Sequence, residues 1–145
     1  LYADGAKSRE GIDQSKSMLA IARSNLENSG NQNCHVRQGD MYQLPYADNS
    51  FDTVLIHQVL HFTDDPARAV AEASRVLRAG GKILIVDFAP HDIEKLRSEH
   101  AHRRLGFPPS EVNDWLIAAN LKILKMQDLI GDPLTVSLWF AEKSI

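Results

Sequence analysis

The apolar run Val54-Leu55-Ile56 is approached through Asp48-Asn49-Ser50 and left into His57-Gln58-Val59-Leu60-His61-Phe62. A run this short, with turn formers before it and polar side chains after it, predicts a buried strand of a parallel sheet. In open α/β sheets ligands sit beyond the carboxyl ends of the strands, where loops place side chains without disturbing the core. His57, Gln58 and His61 therefore occupy the positions where chemistry is expected. The pattern recurs along the chain: Arg9 to Ile12 reads as a short strand ending at Asp13, Cys34 to Gln38 as one ending at Gly39-Asp40, and Ile83 to Val86 as one closed by Asp87.

Helical signals alternate with these strands. Leu1 to Lys7 has room only for the tail of a helix, with Gly5 as its stop. Ser15 is placed to cap a helix whose Leu19, Ala22 and Leu26 share one face, closed by Asn28-Ser29-Gly30-Asn31; Met18 is read as core. Asp64-Asp65-Pro66 opens a second helix with Ala69, Val70, Ala73, Val76 and Leu77 on its buried side, and Gly80-Gly81 is predicted to end it in a left-handed turn. A polar helix is expected from His91 to Arg104, with Ile93, Leu96 and His100 on one side, and another from Ser110 with Val112, Trp115, Leu116 and Ala119 inward. Leu121 to Met126 and Leu134 to Ala141, the latter alternating Leu134, Val136, Leu138 and Phe140, should pair as an antiparallel hairpin.

Composition narrows the class further. A chain of 145 residues, 43% hydrophobic and 24% charged, suits one compact domain, and a net charge of −3 gives no general attraction to nucleic acid or anionic membrane. Its longest apolar stretch is far too short to span a bilayer, and no secretory signal is legible. Cys34 is the single cysteine, which excludes an internal disulfide and suits cytoplasmic surroundings. His91, Glu94, Glu99, His100 and His102 invite a metal reading. On a helix, however, His100 and His102 would point about 200° apart, and no metal site is expected.

Gly39-Asp40, Asn49-Ser50-Phe51-Asp52 and Arg75-Val76-Leu77-Arg78-Ala79-Gly80-Gly81-Lys82 resemble the class I, Rossmann-like S-adenosylmethionine-dependent methyltransferases, over nearly the whole chain. The resemblance implies a mostly parallel α/β sheet finished by the antiparallel hairpin, S-adenosylmethionine as methyl donor with S-adenosylhomocysteine as product, and a small-molecule acceptor. It implies that Asp13, with Gln14 beside it, binds the ribose hydroxyls. Asp40 and the backbone N–H of Met41 would then read the adenine edge, with His57 and Gln58 on the methionine side. Taken without it, Asp13 and Asp40 are turn formers at strand ends, and each histidine is equally a side chain satisfied by the backbone. His57 and His61 are the candidate bases, needed only if the acceptor must lose a proton. Asp52 reads as a turn partner, and Asp87 as either a wall of the acceptor pocket or a helix-start residue.

Within that class, His91 to Phe107, ending Ala101-His102-Arg103-Arg104-Leu105-Gly106-Phe107, resembles the methyltransferase half of ArsR-type regulator fusions. More distantly the chain resembles ubiquinone and menaquinone biosynthesis methyltransferases; a lone Cys34 speaks against arsenic methyltransferases. The region from 88 to 110 is expected to form a helical cover over the pocket. No nucleic-acid or membrane contact is expected of the domain itself, while a homodimer and an upstream DNA-binding domain remain open. Two other readings stand beside the enzyme: a module that senses S-adenosylmethionine or another metabolite with little turnover, and a nicotinamide-dependent enzyme. A filled space around His57, Gln58 and His61 would favour sensing; a parallel last strand and an idle Asp40 would favour nicotinamide.

In this fold the acid closing the second strand follows the glycine-rich loop by about 20 residues. Only twelve residues precede Asp13, so the first strand and its loop are expected outside this sequence, as part of a longer polypeptide. That strand lies between the one ending at Asp13 and the one ending at Ile56 in the resembling fold, and each buried backbone group left unpaired there costs about 1 to 3 kcal/mol. Residues 1–145 alone are thus predicted neither to fold stably as a monomer nor to bind the donor tightly. Micromolar binding of S-adenosylmethionine by this fragment in a calorimeter would contradict this.

Overall fold

The computed structural model describes residues 6–30 and 32–145, which fall into two compact units, Leu1–Pro45 and Tyr46–Ile145. The helix tail expected over Leu1 to Gly5 lies outside the described residues, as does Asn31; Ala6 and Lys7 are not helical.

In the first unit, β1 (Arg9–Asp13) and β2 (Cys34–Gln38) pair in parallel, with Asp13 opposite Gln38. The crossover is α1 (Lys16–Ser29). Ser15 caps it as expected, its side chain accepting the Met18 N–H at 3.3 Å, and Gly30 closes it in the left-handed region at φ 68. Leu19 is buried, but Met18 is 53% exposed, a correction to its reading as core. Leu19 and Ala22 face the strands, and Met18 sits on the rim of a shallow groove with Gly11, Ile12 and Asp13.

The second unit is a four-stranded sheet in the order β3-β4-β6-β5, made of β3 (Phe51–His57), β4 (Leu77–Phe88), β5 (Leu121–Leu129) and β6 (Val136–Lys143). β3 and β4 are parallel, while β6 runs antiparallel to both β4 and β5. The mostly parallel architecture with a terminal antiparallel hairpin is thus the one expected, and the parallel last strand of the nicotinamide reading is not found. Among the described residues β1 bonds only to β2, and β3 only to β4. This free edge corrects the expectation that Val54 to Ile56 is buried: Leu55 is 38% exposed and its neighbours are partly so.

Asp65 caps α2 (Pro66–Val76) by accepting the Arg68 N–H at 3.0 Å, with Pro66 in the first turn, where its missing N–H is no loss. The helix ends at Val76 rather than at Gly80-Gly81, because Leu77 already pairs with Phe51. Lys82 pairs with Thr53, so β4 bulges between, and Gly80 takes φ 71 in the bulge. Asp52 pairs with Arg78 across this irregularity. Helix α4 (Pro109–Ala118) buries Val112 and Leu116, and its start has no side-chain cap; Ser110 lies inside it instead of capping it. Ser74 Oγ donates to the Ala119 carbonyl at 2.7 Å, tying α2 to the end of α4. Lys143 Nζ donates to the carbonyls of Ser74 and Leu77, both at 2.7 Å, and fastens the last strand to the helix-to-strand junction.

The core of this unit is Val70, Val76, Leu77, Ile83, Ile85, Phe107, Val112, Leu116 and Trp139, each 1% exposed or less. Each such side chain stabilises the fold by roughly 1.5 to 3 kcal/mol. On β6 the fully buried phase is Ser137, Trp139 and Ala141, while Val136, Leu138 and Phe140 are half-buried.

Residues 89–107 form a strap whose ends are tied together. Ala89 N–H donates to Thr135 O, His91 N–H to Leu105 O and Phe107 N–H to Phe88 O. Its helix, α3 (Lys95–His100), is far shorter than the helix expected over His91 to Arg104 and buries no residue. It stops where Ala101 turns left-handed at φ 55 and the chain heads back toward the sheet. Gly106 closes the strap at φ 79, and a Cβ there would lie 2.1 Å from the Ala89 carbonyl oxygen. Gly106→Ala is therefore expected to lower unfolding stability by at least about 2 kcal/mol, measured by denaturant titration.

Candidate active site

In the first unit the polar residues gather where the two parallel strands end. Asp13 Oδ1 accepts the Ser15 N–H at 2.7 Å, and the Gly39 N–H donates to the Asp13 carbonyl at 3.2 Å. Asp40 Oδ1 accepts the Tyr42 N–H at 2.8 Å and Gln14 Nε2 at 3.4 Å. Gln38 Nε2 donates to the Gln14 carbonyl at 3.1 Å. Asp13, Gln14 and Asp40 are thus brought together, and both acids do form the turns of their plain structural reading. Among the described residues nothing bonds Oδ2 of either acid, and nothing accepts from the Met41 N–H.

That donor and acceptor set suits a nucleoside. A carboxylate has about four lone-pair sites on its two oxygens, so one turn bond leaves Asp13 able to take both hydroxyls of a ribose. The open Asp40 oxygen and the Met41 N–H offer an acceptor and a donor for an exocyclic amine and a ring nitrogen. The residues present fit the donor that the sequence implies.

In the second unit, parallel pairing sets the tips of β3 and β4 side by side, with His57 opposite Val86. Gln58 N–H donates to Val86 O at 2.7 Å, and Gln58 itself is held at φ 50, an uncommon conformation for a residue with a side chain. His57 is exposed at the strand tip. His61 lies in a one-turn 3-10 helix, Leu60–Phe62, and is 2% exposed, so the two candidate bases are in opposite situations. Rings surround His61: Phe62 at 4.1 Å between centroids, His102 at 4.2 Å and Phe88 at 5.0 Å.

The fully buried Asp87 is the residue that sequence reasoning left undecided. Its Oδ1 lies 2.7 Å from His61 Nδ1 and accepts the Phe88 N–H at 2.8 Å, while Oδ2 accepts the Leu60 N–H at 3.1 Å. It neither starts a helix nor stands free at a pocket wall. The readable signal was its place at the tip of the strand beside β3. The strap completes the cluster: the Arg103 and Arg104 N–H groups both donate to the His61 carbonyl, at 2.9 and 3.1 Å, and Arg103 pairs with Asp64. His91 Nε2 and His102 Nδ1 are buried without partners among the described residues. Those residues contain no convergent group of metal-binding side chains, and none of their helices is long and apolar enough to cross a membrane.

A Rossmann-like sheet with open carboxylates at adjacent strand tips is the architecture of a nucleoside-cofactor domain. A protein-family profile described as "Methyltransferase domain" matches residues 2–85, and the chain belongs to this family, the class I S-adenosylmethionine-dependent methyltransferases. It is 32% identical over 124 residues to the uncharacterized methyltransferase YcgJ of Bacillus subtilis, covering 82% of this chain and 49% of that one. The crystal structure of the same relative superposes with a TM-score of 0.84 at 22% identity, over 99% of this chain and 86% of that one, and so shares the fold. A demethylmenaquinone methyltransferase of Desulfitobacterium hafniense is 39% identical over 80 residues, covering 54% of this chain and 32% of that one. The chain spans about half the length of YcgJ and less of the second relative.

Burial lowers the proton affinity of His91 below its ordinary value of 6.5, against a partly offsetting Asp92. Burial also lowers that of His102, helped by the neighbouring His61. A histidine that holds its proton less well folded than unfolded stabilises the fold fully above the ordinary value, and the contribution shrinks as pH falls below it. Between pH 7.5 and 5.5 the Arg103 and Arg104 amides are therefore expected to lose at least about threefold in hydrogen-exchange protection after correction for intrinsic rates. The Ile85 amide, in the sheet, should change far less, and equal loss at all three would contradict a local cause.

Proposed function

We propose that this chain forms part of an enzyme that transfers a methyl group from S-adenosylmethionine to a small-molecule acceptor. The observation that supports this most is the pairing of Asp13 and Asp40, each with an open oxygen, beside the Met41 N–H at one end of a parallel strand pair. Asp13 and Gln14 hold the ribose, Asp40 and Met41 the adenine, and His57 with Gln58 the methionine portion. The bound donor supplies a methyl group already activated by its sulfonium, so the protein's main task is alignment. His57 and His61 supply a base where the acceptor must lose a proton, and residues 88–110 cover the acceptor. A relative named as a demethylmenaquinone methyltransferase supports a small organic acceptor. The reduced state suited to Cys34 supports a cytoplasmic setting.

The rings packed around His61 favour a second reading, a domain that binds the donor and senses it with little turnover. The likeness of His91 to Phe107 to ArsR-type fusions supports an upstream DNA-binding domain in the encoded polypeptide, which reading that sequence decides. Donor binding without any methylated product, across phenolic, quinone and amine acceptors, would favour the sensor.

The assignment is tested by calorimetry on the full-length protein. Asp13→Ala and Asp40→Ala should each weaken S-adenosylmethionine and S-adenosylhomocysteine binding by about 10- to 100-fold, the loss of hydrogen bonds to a charged group. Binding at the wild-type level in both variants would end the proposal.

A further inference from the structure

The His61–Asp87 pair is built more thoroughly than a satisfied core histidine requires. Asp87 already accepts the Leu60 and Phe88 N–H groups and is 0% exposed, yet its Oδ1 is also 2.7 Å from His61 Nδ1. A carboxylate in this position accepts, which makes Nδ1 the protonated ring nitrogen and leaves Nε2 with a lone pair. Among the described residues nothing bonds Nε2. The backbone of the same residue is pinned by the Arg103 and Arg104 N–H groups, and its ring is flanked by Phe62 and His102. An imidazole fixed at its far nitrogen, its carbonyl and its faces, with the near nitrogen uncommitted, is the arrangement a positioned base needs.

We infer that Asp87 is a positioning residue: it fixes the His61 tautomer so that Nε2 takes the proton of an acceptor hydroxyl during methyl transfer. This rests on the proposed role of His61 as base. In that step the acceptor O–H bond breaks and its proton goes to Nε2. The oxygen's electron pair forms the new O–C bond, and the C–S bond of the sulfonium breaks with its pair remaining on sulfur. Asp87 then faces the imidazolium it has oriented. The acceptor class that needs such a pair is a phenol, enol or alcohol, whereas a neutral amine attacks with its own lone pair.

The test uses full-length protein labelled with nitrogen-15 in histidine. Long-range proton–nitrogen spectra of the wild type should show His61 protonated at Nδ1, an outcome that depends on no variant. Asp87→Asn should move the proton to Nε2 and lower kcat on a hydroxyl acceptor by about 100-fold or more, as when a triad's orienting acid is neutralised. KM should stay within about threefold and donor Kd within about twofold. A wild-type His61 protonated at Nε2, or a tautomer switch in Asp87→Asn with kcat unchanged, overturns the inference. His61→Gln separates the two levels. If it is inactive while the wild-type tautomer is Nε2–H, His61 serves turnover without acting as a base at Nε2, and the role given to Asp87 falls while the methyltransferase reading stands. If it keeps full turnover, the base assignment falls and this inference with it.

Discussion

Strands that pair in parallel and in register finish at the same edge, so the residues that follow them meet without further instruction. Nearly all the proposed chemistry depends on that constraint. Asp13 and Asp40 are 27 positions apart in sequence, yet β1 and β2 end together, and the Gly39 amide bonds back to the Asp13 carbonyl. In the second unit the tips of β3 and β4 bring the turn carrying His61 onto Asp87. Slipping either register by one residue would turn these side chains to the opposite face.

A fully buried carboxyl group needs its hydrogen bonds, because burial without them costs far more than any one bond returns. Asp87 has bonds from the Leu60 and Phe88 N–H groups as well as from His61. Two of these partners lie in the 3-10 turn and one on β4, so the acid also fixes how that turn sits on the sheet. The remainder of the unit supplies the rigid frame. Trp139, Ile83, Ile85 and Leu116 are fully buried, and Lys143 ties the last strand to the end of α2.

The strands were legible because each is a short apolar run with its own turn signals, and α1 and α2 because Ser15 and Asp65 cap them locally. What escaped was nonlocal. The first strand expected outside this sequence already implies an unpaired edge on β3, but the apolar run Val54 to Ile56, taken as buried, did not show that Leu55 is exposed along it. Met18 has a core residue's chemistry but sits one helical step off the face that Leu19 shares with the sheet. The helix expected to Arg104 stops at His100 because the amides of Arg103 and Arg104 find the His61 carbonyl instead of an i−4 partner. In the candidate site, Asp13 and Asp40 were readable as strand-end acids. The bond between His61 and Asp87, 26 residues apart, was visible only once β3 and β4 were side by side.

His61 is held by the strap from one side and by Asp87 from the other. Arg103 and Arg104 hold the His61 carbonyl, His102 lies against its ring, and Gly106 with the Phe88–Phe107 and His91–Leu105 bonds returns the chain to the sheet. Most other strap side chains are exposed and add little burial, so the strap's own stability is small beside that of the core. Displacing it would therefore uncover the His61 ring while leaving Asp87, held from β4 and the 3-10 turn, in place. On the proposed reading an acceptor enters as the strap moves, and the bond between Asp87 and Nδ1, which no strap residue makes, remains. On the proposed assignment the strap is the cover and the bond to Asp87 is the part of the base's mounting that does not depend on it, which makes the rings around His61 compatible with turnover.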